Sequence, residues 1–233
     1  MTFLDYEFTR PDGGNKSQGW ALLSVCWALV TAASVTTVLR VFVRTQLTHN
    51  MGADDWVMVL CLFTTWLGAG MITTEIIQGG LGRHGYYLQP DQKRHFLAVG
   101  WGDWIQTFVT LALMKIAICL FLLRIVDARK IRLVLWGFIG FIVLFTLTFI
   151  ALFLAICRPI RAYWTVMPEA HCLTDLQIQY ITLAQGVLSA ITDLILSAFP
   201  YFFLRNLHVS RRTKVALVVL MGLGAMYAHV FLH

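Results

Sequence analysis

FLAVGWGDWIQTFVTLALMKIAICLFLLRIVDARKIR, residues 96–132, is the stretch that decides the fold class. Within it, residues 97–123 contain only two formal charges, Asp103 and Lys115, and a basic cluster begins at Arg124. About 20 consecutive apolar residues in a helix are enough to cross a bilayer core. The stretch is therefore predicted to be a transmembrane helix. Because a charged side chain inside a bilayer costs several kcal/mol, both internal charges need partners.

The composition extends this prediction to the whole chain. The 233 residues are 58% hydrophobic and 13% charged, whereas a soluble domain carries about 25% charged residues. The apolar surplus lies in long blocks, which predicts an all-α fold, a polytopic helical membrane bundle in the lipid bilayer. The net charge of +6 comes from Lys and Arg in short loops between these blocks. Membrane topology explains that pattern, so we expect no nucleic-acid partner.

The apolar blocks predict one membrane domain with six spans. Residues 1–15 are polar and do not resemble a signal peptide. Residues 1–18 are therefore predicted to be an extracellular or lumenal tail, and the first span an uncleaved anchor. Residues 19–233 then form a single transmembrane domain. Its predicted spans are residues 19–39, 56–77, 97–123, 133–156, 176–204 and 215–232.

The distribution of basic residues predicts the orientation. The loops after spans one, three and five hold ten Lys and Arg residues, and the opposite side holds seven. Since cytoplasmic loops carry the excess of Lys and Arg, we expect the N-terminus outside the cell or in the lumen, in a plasma membrane or an endomembrane. A cytoplasmic protein partner would bind the two basic loops, whose charged residues are Arg124, Arg129, Lys130, Arg132, Arg205, Arg211, Arg212 and Lys214.

Cysteine placement agrees with this orientation. Cys26, Cys61 and Cys119 fall within spans, where a thiol usually acts as a small buried hydrophobe. Cys157 and Cys172 lie in the loop after span four, on the predicted outer side, where disulfides persist. A bridge between them would stabilise the fold by roughly 3 kcal/mol. The alternative is two unrelated thiols.

The depths of Lys115 and Asp193 predict an ion pair between spans three and five. Lys115 precedes Arg124 by nine residues and Asp193 precedes Arg205 by twelve, so both lie about 13–18 Å above the same membrane edge at ~1.5 Å per residue. In the alternative interpretation, Lys115 extends to the cytoplasmic head groups and Asp193 is protonated or hydrogen-bonded to neighbouring Thr or Gln side chains.

A second polar set lies nearer the predicted outer side. Asp103, Gln106, Thr107 and Thr110 share one face of span three at helical spacing. A pocket opening outward would bind a ligand or form part of a permeation path. Its predicted lining is Trp101, Asp103, Gln106, Glu75 at the end of span two, and Gln185 in span five. The alternative is that the polar groups join helices by hydrogen bonds, while Trp101 and Trp104 form an interfacial belt.

Other chemistry has little support in the sequence. His84, His95 and His171 show no metal-ligand spacing, so we expect neither a metal nor another cofactor. No serine-hydrolase elbow, phosphate-binding loop or dinucleotide motif occurs. The pair Asp54 and Asp55 suits the start of span two, because carboxylates favour a helix N-terminus, better than it suits a metal. If the chain is an enzyme, its acid or base would be Asp103, Glu75 or Asp193.

An ordered set of short motifs resembles a known family. The motifs are Arg40-x3-Arg44, Asp54-Asp55-Trp56, Gly80-x-Gly82-Arg83-His84, Lys115 with Arg124-Ile125, Cys157-Arg-Pro159-x4-Trp164 with Cys172, Asp193 with Pro200, and Lys214 with Gly222-x-Gly224. Together they resemble the fungal rhodopsin-domain integral membrane proteins. That family includes receptor-like proteins and proteins encoded in secondary-metabolite clusters such as the satratoxin cluster.

The resemblance implies a seven-helix bundle, and this sequence departs from it in two respects. We expect no seventh span in this sequence, and residues 225–233 do not follow the family's usual continuation. We expect a truncated member or one that works with six helices. The resemblance does not imply retinal, because rhodopsins carry the retinal lysine on the seventh helix and Lys115 lies on the third.

Three functions are compatible with the sequence. The favoured one is an accessory component of a fungal secondary-metabolite pathway that handles or senses a lipophilic small molecule. The first alternative is a membrane sensor of extracellular cues that resembles a G-protein-coupled receptor. The second is an integral-membrane enzyme such as a cyclase.

The predicted ion pair can be tested by double substitution. We expect Lys115→Met and Asp193→Asn each to lower the amount of folded protein, because each leaves one intramembrane charge without its partner. The double variant should recover most of the loss, with a coupling energy of about 0.5–3 kcal/mol. Size-exclusion chromatography of fluorescently tagged protein measures the folded fraction. A double variant no better than the single ones would leave the pair unsupported.

Overall fold

The computed structural model describes residues 17–204 except 79, 166, 168 and 169. Within this part, five helices are long and apolar enough to cross a membrane. They are α1 (Gly19–Phe42), α2 (Ala53–Ile77), α3 (Pro90–Ile125), α4 (Arg129–Leu154) and α5 (Asp175–Leu204). The all-α membrane class is confirmed, and the five helices overlap five of the six predicted spans. The sixth, residues 215–232, lies outside the described residues, as does the basic loop 205–214.

The helices extend beyond the predicted spans because polar caps and turns continue them past the apolar core. Helix α3 begins at Pro90, and the backbone N–H of Gln89 donates to Oε1 of Gln92 at 3.1 Å. A proline suits the first helical position because its missing N–H would be unpaired there anyway. The 36 residues of α3 span about 54 Å at ~1.5 Å per residue, more than a bilayer core of about 30 Å.

Helix α1 also continues past its predicted end at residue 39. It runs to Phe42 and then into a π-helical turn, Val43–Leu47. Arg40 and Arg44, which the sequence assigned to a loop, therefore lie on helical backbone. Their side chains extend from a rigid element, so their positions are set by the packing of α1.

Helices α2 and α3 pack antiparallel along a close seam. The amide of Gln106 donates to the carbonyl oxygen of Thr64. Gln106 also lies against Gly68, where an added Cβ would be 2.8 Å from Oε1 of Gln106. Further along the seam, the Cys61 thiol approaches the Thr110 carbonyl oxygen at 3.9 Å. Small residues let two membrane helices approach closely, and buried polar groups then bond across the interface.

Aromatic side chains join α3 to α4. The rings of Phe108 and Phe153 meet edge to face at 5.1 Å, and Trp104 stacks on Phe153 at 5.9 Å. Phe108 and Phe153 are both buried, with 3% of each exposed. Such ring pairs contribute about 0.5–1.5 kcal/mol beyond burial of their area. Trp104 therefore has a packing role in addition to its predicted place in an interfacial belt.

A disulfide holds the loop between α4 and α5. Cys157 and Cys172 are bonded, which confirms the predicted bridge and excludes the alternative of unrelated thiols. The loop also contains a short antiparallel pair that the sequence did not predict, β1 (Cys157–Arg158) with β2 (His171–Cys172). The ring of Trp164 from this loop lies 6.0 Å from that of Trp101 on α3. Burial and then the negative charge of Asp175 raise the pKa of Tyr163 in the same loop, which keeps its phenol protonated.

The chain divides into two compact parts, the first ending at Asp175 and the second starting at Leu176. In the first part, α1 packs on α2, α2 on α3 and α3 on α4. The described portion of the second part is helix α5 from Leu176 onward. Hydroxyl groups on α5 bond to its own backbone, as Thr182 donates to the Ile178 carbonyl oxygen at 3.0 Å and Ser197 to that of Leu194 at 2.8 Å. These bonds lower the cost of polar side chains in an apolar helix.

A glycine fixes the turn between α2 and α3 against the start of α1. Gly82 has a φ of 83°, and its carbonyl oxygen accepts a hydrogen bond from the Gln18 N–H at 3.1 Å. A Cβ added at this position would lie 2.6 Å from the backbone nitrogen of Gly19. Both the backbone conformation and the contact therefore require glycine.

We expect Gly82→Ala to destabilise the protein by about 2 kcal/mol, since it adds backbone strain and a clash with α1. Gly70→Ala is the matched control, because an added Cβ there meets nothing within 4 Å. Alanine in a helix interior is more favourable than glycine by about 1 kcal/mol, so this control should be neutral or stabilising. Thermal melting of the purified protein in detergent measures both. Equal melting temperatures for the two variants would contradict the assignment.

Candidate functional site

Two buried carboxylates at the start of α2 are held by arginines from α1. Asp54 and Asp55 are 3% and 0% exposed. Arg40 binds both, through Nη2 to Oδ2 of Asp54 at 2.8 Å and through Nε to Oδ1 of Asp55 at 3.0 Å. The N–H of Gly52 also donates to Oδ2 of Asp55 at 3.1 Å. Carboxylates at a helix N-terminus are favourable, and the arginine offsets the cost of burying them.

A second arginine reaches the same carboxylates from the far end of α3. Nη1 of Arg124 lies 3.3 Å from Oδ1 of Asp54 and 3.7 Å from Oδ2 of Asp55. Its Nη2 donates to the carbonyl oxygen of Asn50 at 2.8 Å. Arg44 is more distant, at 3.9 Å from Asp55. We name Arg40, Arg44, Asp54, Asp55 and Arg124 the arginine–aspartate network.

The arginine–aspartate network joins three helices at one membrane edge, and the sequence analysis missed it. Arg40 and Arg124 had been interpreted only as topology signals, and the two aspartates only as the start of span two. The latter assignment agrees with the structure, but the carboxylates also need cations because they are buried. The signal was present in the sequence, since the ends of spans one and three lie at the edge where span two begins.

The predicted outer residues divide into bonded and unbonded groups. Gln106 bonds across the seam to Thr64 and also donates to Oγ1 of Thr110 at 2.9 Å. Gln106 therefore joins α3 to α2, as the alternative interpretation expected, whereas its bond to Thr110 lies within α3. Asp103 and Glu75 lie close enough for their charges to interact. The structure thus brings together the acidic members of the predicted set on α2 and α3.

Glu75 and Trp101 each carry a buried polar atom without a hydrogen-bond partner in the described part of the chain. These atoms are Oε1 of Glu75 and Nε1 of Trp101. Glu75 is 5% exposed, and its Oε1 lies 3.4 Å from where a Cβ on Gly100 would be, next to Trp101 in the sequence. We name Glu75, Trp101 and Asp103 the outer polar site. It offers a carboxyl oxygen and an indole N–H on adjacent helices.

The remaining predicted residues are not joined into this site. Gln185 and Asp193 lie on α5, in the second compact part of the chain. Lys115 lies on α3 and is 6% exposed, and its pairing with Asp193 stays a prediction. Among the described residues, no group of three or more His, Cys, Asp or Glu side chains is placed to hold a metal ion.

Comparison with known proteins places the whole arrangement in a family. The sequence model of the Fungal rhodopsin domain matches residues 39–231. The chain belongs to this family. The match includes all five residues of the arginine–aspartate network and all three of the outer polar site. The chain is therefore a multi-pass membrane protein of the fungal rhodopsin domain family.

One relative of this fungal rhodopsin domain protein is "Polyenoic acids biosynthesis gene cluster protein Ba17b" of Metarhizium anisopliae. The two are 24% identical over 216 residues, which cover 89% of this chain. The chain spans about 58% of the length of that relative. No solved structure matches the chain.

We expect Asp55→Asn to destabilise the protein by about 3 kcal/mol, because it leaves Arg40 and Arg124 with one buried carboxylate between them. Asp127→Asn is the control, since Asp127 is exposed between α3 and α4 and forms no ion pair within the described residues. Substitutions at such positions usually change stability by less than about 0.5 kcal/mol. Thermal melting in detergent compares the two. An Asp55→Asn protein that melts with the control would show that the network is not needed for stability.

Proposed function

We propose that this protein is an accessory membrane component of a fungal secondary-metabolite pathway and that its outer polar site binds a lipophilic small molecule. Support for the pathway comes from the relative in Metarhizium anisopliae, whose name assigns it to a biosynthesis gene cluster. That protein is longer and distantly related, so the role of this chain rests on its own site.

The observation that carries the binding proposal is the pair of unpaired buried atoms in the outer polar site. A buried polar group without a hydrogen bond costs about 1–3 kcal/mol. A ligand group that both donates and accepts, such as a hydroxyl, has the chemistry to bond Oε1 of Glu75 and Nε1 of Trp101. The surrounding helices are long and apolar enough to cross a membrane, so a molecule that partitions into the bilayer would reach them.

A sensor of extracellular cues is the second candidate function. It is favoured by the contact between Trp164, from the disulfide-bonded loop, and Trp101 of the outer polar site. A ligand that displaced Trp101 would also disturb this loop. The sensor and the pathway component share the binding site and differ in what binding causes. An enzyme would use Glu75 and Asp103 as an acid and base pair.

Deletion of the gene followed by metabolite profiling distinguishes these functions. A missing product with an accumulated precursor supports the pathway role. Unchanged metabolites together with a lost response to an external compound would support the sensor. If the deletion changes neither the metabolites nor the response, both functions are contradicted. Purified protein that converts the accumulated precursor without a further enzyme would show that the chain is catalytic.

We expect the gene carrying Glu75→Leu to fail to restore the product, although the protein is as stable as the wild type. Leucine removes the acceptor oxygen, and replacing an unpaired buried polar group by an apolar one does not destabilise a protein. Ligand affinity should fall by about tenfold, as expected for the loss of one hydrogen bond. Asp91→Asn, an exposed change in the first turn of α3, is the control. Normal product with Glu75→Leu at equal abundance would contradict the proposed site.

A further inference from the structure

A cavity of about 290 Å³ opens at the opposite end of α3 from the outer polar site. It lies where α2 begins, α3 ends and α4 begins. The residues that matter for its chemistry are Asp54, Leu120, Leu123, Arg124, Arg132 and Trp136. Trp101 and Arg124 are 23 positions apart on α3, about 35 Å at ~1.5 Å per residue. The cavity is thus separate from the outer polar site.

The charge at this cavity is positive. Asp54 is part of its lining, but that carboxylate is already paired with Arg40 and Arg124. The arginine–aspartate network contains three arginines and two aspartates, so its formal charge is +1. Arg132 adds a second positive charge; it is exposed and forms no ion pair within the described part of the chain.

Arg124 has N–H groups left for a further acceptor. A guanidinium carries five N–H donors. Hydrogen bonds within the described residues use Nη1 toward Asp54 and Nη2 toward the Asn50 carbonyl oxygen. The remaining donors belong to a side chain that lines the cavity and is 26% exposed. Arginine binds phosphate and carboxylate oxygens in a fork, so two arginines at one cavity favour an anion.

Three large apolar side chains also line the cavity and are at least partly exposed. Leu120 and Leu123 come from α3, and Trp136 of α4 is 56% exposed. Tryptophan is typical of the membrane interface, where its ring lies at the level of the head groups. Pockets that enclose a whole small molecule measure about 300–1,000 Å³. A volume near the lower end of that range suits a head group whose chain remains in the bilayer.

We propose that this cavity binds the anionic head group of a membrane amphiphile. A phosphate or carboxylate is bound by Arg124 and Arg132, and the attached chain lies beside Trp136 and the leucines of α3. Basic pockets between membrane helices on the cytoplasmic side are suited to phospholipid head groups. The predicted orientation places this edge at the cytoplasmic leaflet, where anionic phospholipids are concentrated.

Native mass spectrometry of the purified chain tests the proposal. The protein is exchanged into micelles containing phosphatidylcholine alone, phosphatidylcholine with phosphatidic acid, or phosphatidylcholine with oleic acid. We expect retention of one anionic amphiphile in preference to phosphatidylcholine. Retained phosphatidic acid would identify a phosphate head group, and retained oleate a carboxylate. Equal retention of all three would overturn the proposal.

Two substitutions locate the site. Arg132→Gln should lower retention about fivefold, the effect expected from one interfacial arginine. Arg129→Gln removes the same charge from the same end of α4 at a position outside the cavity lining, so it should leave retention unchanged. Both residues are exposed, so neither change should alter the melting temperature. If Arg129→Gln lowers retention as much as Arg132→Gln, the attraction is diffuse and the cavity is not the site.

Discussion

The burial of Asp54 and Asp55 is the constraint on which the packing of the first three helices depends. Removing two carboxylates from water at a membrane edge costs several kcal/mol per ion unless cations with good geometry accompany them. Arg40 provides one such cation from α1, and Arg124 provides another from α3. Because each arginine is fixed to a helix, satisfying the carboxylates also sets the position of both helices relative to α2. The close packing of α2 against α3 then continues along both helices from the end that carries the arginine–aspartate network.

Glu75 is the contrasting case at the other end of the same two helices. It is buried to a similar degree as Asp54, but no arginine or lysine binds it within the described residues, and one of its oxygens has no hydrogen bond. A stable fold can bury a carboxylate with a cationic partner, as at Asp54, or without one, as at Glu75. Only the pairing with a cation stabilises the fold. Glu75 is therefore the better candidate for a functional residue, since its burial without a partner does not stabilise the packing.

The sequence predicted those features that depend on composition and on the side of the membrane. Apolar runs located the described spans, and the predicted outer location of Cys157 and Cys172 led to their disulfide. The sequence did not predict the helix ends, which depend on local geometry. Pro90 and the π-helical turn after Phe42 extend two helices beyond their apolar segments. The arginine–aspartate network was missed for a related reason. Positive charges at helix ends are sufficient to explain topology, and the sequence alone does not show that the two aspartates are buried and need cationic partners.

The two proposed sites use polar groups in different ways, and the structure explains why. In the outer polar site the polar atoms are enclosed and unpaired, so a neutral lipophilic molecule gains hydrogen bonds there without introducing charge. At the cavity near Arg132 the arginines remain partly exposed at the interface, where a charged head group keeps much of its hydration and its chain stays in lipid. An anion would be costly in the first site because Glu75 and Asp103 are acidic. A neutral molecule would leave the arginines of the second site without a counter-charge. The two proposed ligands therefore differ in charge, and each suits one site better than the other.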